Sequence, residues 1–91
     1  MHGEYKTPGG KLVVSDLSIR DGKLRDVVIS GDFFLEPPEA LSLIVESIEN
    51  LSADATEDEI AEHVRSAVSG DVSMIGFSPE AVAKAVRRAV G

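Results

Sequence analysis

The stretch Lys11-Leu-Val-Val-Ser-Asp-Leu-Ser-Ile-Arg-Asp-Gly-Lys-Leu-Arg-Asp-Val-Val-Ile-Ser30 decides how the rest of the chain must fold. Its first half, Lys11 to Arg20, is rich in β-branched residues and alternates at Val13, Ser15, Leu17 and Ile19, the period of a half-buried strand. Asp21-Gly22 is a strong turn signal, and Lys23 to Ser30 is the return strand of a hairpin. Counting Asp21-Gly22-Lys23 as the connection sets Leu17 opposite Val27 and Ile19 opposite Arg25, with Val13, Leu17, Val27 and Ile29 on one face. A two-residue turn would oppose Leu17 to Asp26, a poorer match. The longer connection is therefore expected, with Leu12 and Val14, which fit neither face, marking a bulge.

Beyond the hairpin the chain reads as helices able to cover it. Glu36-Pro37-Pro38 ends any strand and presets a helix start. A first helix, about Pro38 to Asn50, aligns Leu41, Ile44, Val45 and Ile48 on one stripe, leaving Glu46 and Glu49 off it. Thr56 to Glu59 is a capping box, and Glu57, Asp58 and Glu59 place negative charge where the helix dipole favours it. That second helix runs from about Glu57 to Ser69, burying Ile60, Ala61, Val64 and Val68, and stops at Gly70. Asp71 to Phe77 is a short strand or a buried extended linker. Ser78-Pro79-Glu80 opens a third helix, with Ser78 as N-cap and Val82, Ala85, Val86 and Ala89 inward. Upstream, Met1 to Gly10 is too small and polar for a buried element, apart from a brief extension at Tyr5 and Lys6.

The expected architecture is a single two-layer α+β domain over residues 1–91, an antiparallel hairpin or small sheet covered by three helices. This order resembles the fold of SufE/NifU-type iron–sulfur scaffolds. The likeness is one of fold alone, because those proteins hold their cluster with cysteines and this chain has none.

Composition narrows the function. With 91 residues, 43% of them hydrophobic, the chain can bury a modest core. The absence of cysteine excludes disulfides, thiolate metal sites and cysteine nucleophiles. No apolar run is long enough to span a membrane, and a soluble cytoplasmic protein is the expectation. A net charge of −7, from 16 acidic against 9 basic residues, argues against a nucleic-acid footprint.

Few motifs carry chemistry. His2 and His63 lie far apart in the chain, and there is no metalloprotease motif, nucleophile elbow or carboxylate cluster at ligand spacing. Helix capping accounts for Glu57-Asp58-Glu59, and Lys84, Arg87 and Arg88 read as a solvated helix end. A phosphate loop is ruled out, since Tyr5 and Leu12 stand where a Walker A motif needs Gly and Ser or Thr. There remains a turn, Pro8-Gly9-Gly10, between Lys6 and Lys11. Such a turn can approach a ligand closely and present amides and positive charge to an anion. Equally, its glycines can simply steer the chain into the first strand. Gly31-Asp32-Phe33-Phe34, at the far end of the hairpin, offers a glycine, a carboxylate and two large rings.

Lys6-Thr-Pro-Gly-Gly-Lys11-Leu12-Val13, preceded by His2-Gly3-Glu4 and followed by Ser30-Gly31-Asp32-Phe33-Phe34, closely resembles the C-terminal accessory domain of lipoate–protein ligases. In some archaea this domain is a separate small subunit. The resemblance extends over nearly the whole chain, and its motifs are specific in combination and weak singly. It implies an accessory subunit, inactive alone, in a heterodimer with the catalytic subunit. That partner would bind ATP, Mg and lipoate and form lipoyl-adenylate before transfer to a lysine of lipoyl-acceptor proteins. No cofactor is implied on this chain alone and no catalytic residue. Lys6, Pro8, Gly9, Gly10 and Lys11 would contact nucleotide or partner, and Gly31, Asp32, Phe33 and Phe34 would support that loop or form the interface.

Two other readings stand beside this one. In the first the chain is a carrier modified on a lysine, for which Lys23 at the hairpin tip is the candidate, although lipoyl acceptor domains are all-β with an Asp-Lys pair. In the second it is a non-catalytic adaptor with the same fold.

Overall fold

A computed structural model describes residues 1–91. In chain order the elements are β1 (His2–Lys6), β2 (Leu12–Arg20), β3 (Lys23–Gly31), β4 (Phe34–Glu36), α1 (Ala40–Ile48), α2 (Glu57–Ala67), β5 (Ser73–Ile75) and α3 (Pro79–Val90). The first three strands form an antiparallel sheet in the order β1-β2-β3, and β4 pairs antiparallel with β5 in a second, two-stranded sheet. The α+β expectation of a small antiparallel sheet under three helices is met.

The hairpin register differs from the expected one, for a local reason. Arg20 pairs with Lys23 and Ile19 with Leu24, so the connection is the two-residue turn Asp21-Gly22. Both residues have positive φ, 53° and 72°, as the tightest hairpin turns require. The mismatch this turn would create is absorbed further on. Ser18 pairs with Arg25 but Asp16 with Val28, so Leu17 faces both Asp26 and Val27 across a bulge. Asp26 takes the left-handed conformation, φ 54°, and its carboxylate accepts from Arg20 Nη2 at 3.1 Å. The extra residue turns Val27 and Ile29 back to the core, where they meet Val13 and Leu17. The expected face is right and the expected connection wrong. The bulge sits on β3, while Leu12 and Val14 lie half-buried in a regular part of β2.

A bulge leaves a backbone donor without a strand partner. Here the Val27 N–H donates to Glu49 Oε1 at 2.6 Å, just past the end of α1. Glu49 is therefore a fixed acceptor for the sheet. The α1–α2 connection holds the hairpin tip as well: Leu24 N donates to Leu51 O, Asn50 N to Leu24 O and Ala53 N to Gly22 O, each at 2.8 Å.

The amino-terminal residues, expected to be too polar for a buried element, form the edge strand β1. Gly3 makes this possible. A Cβ on Gly3 would lie 2.3 Å from Ala89 N and 2.4 Å from Ala85 O, so the backbones of β1 and α3 are in direct contact. The alanines of α3 complete that approach.

One core cluster joins both layers, with Val13, Leu24, Ile44, Ile48, Ile60, Val64, Val82 and Val86 fully enclosed. Its one polar member is Ser15, at 0% exposure and with no partner for its hydroxyl. The helix caps follow the sequence: Thr56 and Glu59 form a reciprocal capping box, and the Ser78 hydroxyl accepts from Ala81 N. α1 is shorter than expected, starting at Ala40 after a turn through Pro37-Pro38-Glu39, in which Ala40 N donates to Pro37 O. The extended alternative for residues 71–77 is realised in β5, whose partner is β4.

The basic end of α3 is not merely solvated. Lys84 Nζ binds both carboxylate oxygens of Glu57 at 3.1 Å, Arg87 donates to Ala53 O, and Arg88 donates to Glu4 O and covers the Tyr5 ring. These cations tie α3 to α2, to the α1–α2 connection and to β1. No helix is long and apolar enough to cross a membrane.

Candidate functional site

Between β1 and β2 the chain reverses through Thr7-Pro8-Gly9-Gly10. Gly10 N donates to Thr7 O at 2.8 Å and Thr7 N to Lys11 O at 3.1 Å. Pro8 presets the first turn position and Gly9, with φ 70°, supplies the second, the residue pattern of a type II turn. Lys6, Pro8, Gly9 and Lys11 are exposed and Gly10 is half-buried. Two contacts beyond the turn fix it. Lys11 N donates to Gly76 O, and Leu12 N donates to Asp32 Oδ1, both at 2.8 Å.

The second contact brings the two singled-out segments together. Asp32 reaches the backbone of β2 because Gly31 lets the chain pass close beside it. A Cβ on Gly31 would stand 2.1 Å from Leu12 O, and its φ of 151° disfavours any side chain. Phe33 and Phe34 then point to different surroundings. Phe33 stacks on Phe77, with ring centroids 3.9 Å apart and planes at 18°. Phe34 is 67% exposed. Only Phe34 is free to meet a partner.

Gly76 and Phe77 are the site residues that sequence reading missed. They hold the turn from below and carry the Phe33 ring, yet they follow the Lys6–Lys11 turn by more than sixty residues. The available signal was the alternation of Val72 and Met74 followed by a glycine and an aromatic residue. It marked a strand without naming its neighbour.

Neither Lys6 nor Lys11 is in an ion pair, whereas Arg20, Arg65 and Lys84 are. Two unpaired cations on a turn of defined shape, in a chain of charge −7, can neutralise an anion brought by another molecule.

Two other polar clusters have local explanations. His2 lies between carboxylates, Nε2 at 2.6 Å from Glu4 Oε2 and Nδ1 at 2.7 Å from Asp16 Oδ1. Hydrogen bonding to Glu4 first, and to Asp16 second, raises its pKa above the ordinary value. His63 borders a small depression near Glu59 and Ser52. The capping bonds from Thr56 lower the Glu59 pKa. No group of three or more His, Cys, Asp or Glu is arranged to hold a metal ion.

Beside Phe34 an open groove of about 460 Å³ runs between the end of β3, β4 and α1. Its walls include Ile29, Gly31, Phe33, Phe34 and Leu41, and Glu36 is its one charged lining residue.

Neither a protein-family model nor a curated protein matches this chain. A solved structure does: a chain from a structural analysis of an archaeal lipoylation system, a bi-partite lipoate protein ligase and its E2 lipoyl domain from Thermoplasma acidophilum. The two share a TM-score of 0.73 and 24% sequence identity, over 96% of this chain and 98% of the other. At that identity the likeness is one of fold.

Proposed function

We propose that this chain is the accessory subunit of a bipartite lipoate–protein ligase. It would act with a catalytic subunit in the ATP-dependent activation of lipoate to lipoyl-adenylate, before transfer to a lysine of a lipoyl-acceptor protein. The observation that carries the reading is the hydrogen bond from Leu12 N to Asp32 Oδ1. It joins the Lys6–Lys11 turn and the Gly31–Phe34 segment, the same two stretches whose sequence resembles that subunit. The fold likeness to a chain of a lipoylation system supports it independently, because it rests on the course of the backbone over nearly the full length.

In this reading ATP, Mg and lipoate are held by the partner, and this chain supplies position and charge. The turn docks beside the nucleotide. Lys6 and Lys11 offset phosphate charge where water is excluded, the setting in which such charge stabilises phosphate chemistry most. Asp32 and Gly76 hold the turn in shape so that little ordering remains to be done on docking. Phe34 is the exposed apolar anchor of the contact.

The decisive experiment is lipoate-dependent ATP–pyrophosphate exchange by the candidate catalytic subunit, with and without this chain. Exchange is expected only with both. Lys6→Ala and Lys11→Ala should each lower it about tenfold, the loss of roughly 1.4 kcal/mol of transition-state stabilisation, with the fold unchanged. Full exchange with both variants would remove the role given to the turn.

A second reading has one observation in its favour. Lys23 is exposed directly after the hairpin turn Asp21-Gly22, where a carrier domain presents its modified lysine. Against it stand the three helices, since lipoyl acceptor domains are all-β. Incubation with a ligase, ATP and lipoate tests the carrier: a mass gain of one lipoyl group, lost in Lys23→Arg, would establish it, and an unchanged mass would exclude it.

A further inference from the structure

The two lysines of the turn are set differently. A Cβ on Gly76 would stand 2.5 Å from Lys11 Cγ, 3.3 Å from its Cβ and 3.8 Å from its Cδ. The Lys11 stem therefore lies across the space that a side chain at position 76 would fill. The backbone is tied at the same point, where Lys11 N donates to Gly76 O at 2.8 Å. Gly76 is itself held from both sides. Ile75 before it pairs with Phe34 between β4 and β5, and Phe77 after it is buried and stacked on Phe33. Its φ of 87° is one that side chains rarely adopt. Lys11 remains exposed and outside every ion pair, so the seat holds the stem and leaves the ammonium unpaired. Lys6 instead ends the exposed row of β1 that it forms with His2 and Glu4.

We infer that Gly76 is a positioning residue that acts through Lys11: by carrying no side chain it seats the Lys11 stem, so that Lys11 meets the phosphates already aimed, whereas Lys6 is ordered only on docking. This deepens the accessory reading above and rests on it. A lysine is a point charge on a long flexible stem, and holding it against an anion costs rotamer freedom. A stem seated before the anion arrives has less to lose. A side chain at position 76 would push the stem off its seat without changing the charge of the turn, which separates this role from that of the ammonium itself.

The first measurement needs no partner. In the full chain, labelled with ¹³C and ¹⁵N, side-chain relaxation should show the Lys11 γ-methylene more ordered than that of Lys6, with a proton contact to the Gly76 Cα. Gly76→Asn should bring the order of Lys11 down to that of Lys6. Asn tolerates positive φ while carrying a Cβ, and the amide spectrum reports that the fold is kept. The second measurement is lipoate-dependent ATP–pyrophosphate exchange with the candidate catalytic subunit, at saturating amounts of this chain. Gly76→Asn should lower the maximal rate about fivefold, less than the loss of the cation itself. That loss should vanish in the Lys11→Ala background, where no stem is left to seat, and persist in full in Lys6→Ala. Equal order of the two lysines in the wild-type chain would overturn the inference, whatever the variant does. So would full exchange with Gly76→Asn, or an undiminished loss in the Lys11→Ala background. A loss that shrinks in Lys6→Ala as well would overturn it too, by making Gly76 a support of the whole turn. Exchange indifferent to the wild-type chain is a separate result, which would overturn the accessory reading itself and with it the use of the seat.

Discussion

Single residues in this fold do opposite things with the same small size. Gly3 is small because α3 lies against its backbone, and Gly3→Ala should lower stability by roughly 2–4 kcal/mol, read as a lower urea midpoint. Ser15 is small in a place where its hydroxyl has nothing to bind. Ser15→Ala should therefore raise the midpoint, by about 1 kcal/mol of stability, since removing an unsatisfied buried hydroxyl removes its desolvation cost. His2 is exposed, and its behaviour is one of titration. Both ring nitrogens sit at hydrogen-bond distance from a carboxylate, and only the imidazolium has two N–H groups to donate. The folded pKa is thus raised above 6.5. Any stability this adds is complete below the unfolded pKa and fades as pH rises through the folded one. An NMR titration of His2 should show a midpoint above 6.5 that returns towards it in Glu4→Gln/Asp16→Asn.

At the scale of elements, the hairpin and α1 form one unit through Glu49. The bulge at Asp26 is what allows the short turn Asp21-Gly22 and the inward face of Val27 and Ile29 to coexist, and Glu49 satisfies the donor that the bulge frees. Glu49→Ala should cost about 1–2 kcal/mol, the loss of a charge-assisted hydrogen bond in a partly buried place. Glu49→Gln, which keeps an acceptor, should cost less. In native-state hydrogen exchange the Val27 amide should lose protection in the Ala variant well before the centre of β2 does. The helices themselves were readable from local rules. Capping at Thr56 and Ser78, and the acidic first turn of α2, act within a few residues and depend on nothing distant.

For the whole molecule, the hairpin strands β2 and β3 and the three helices were legible, and so was the nearness of the Lys6–Lys11 turn to Gly31–Phe34, because a hairpin brings the two ends of its strands together. Less legible was the edge strand β1: its residues look too polar and small alone, and acquire a place only where an alanine face of α3 covers Gly3. The different fates of Phe33 and Phe34 depend on Phe77, which arrives from the other end of the chain. By itself the sequence determined the element types, the helix caps, the core face of the hairpin and the absence of thiol chemistry, since periodicity, side-chain capping and composition act locally. Only the tertiary structure decided the register, the strand order and which surface remains free. Those rest on long-range pairing, on Glu49 meeting a bulge, Gly76 meeting Lys11 and Asp32 meeting Leu12, and no local preference encodes such contacts.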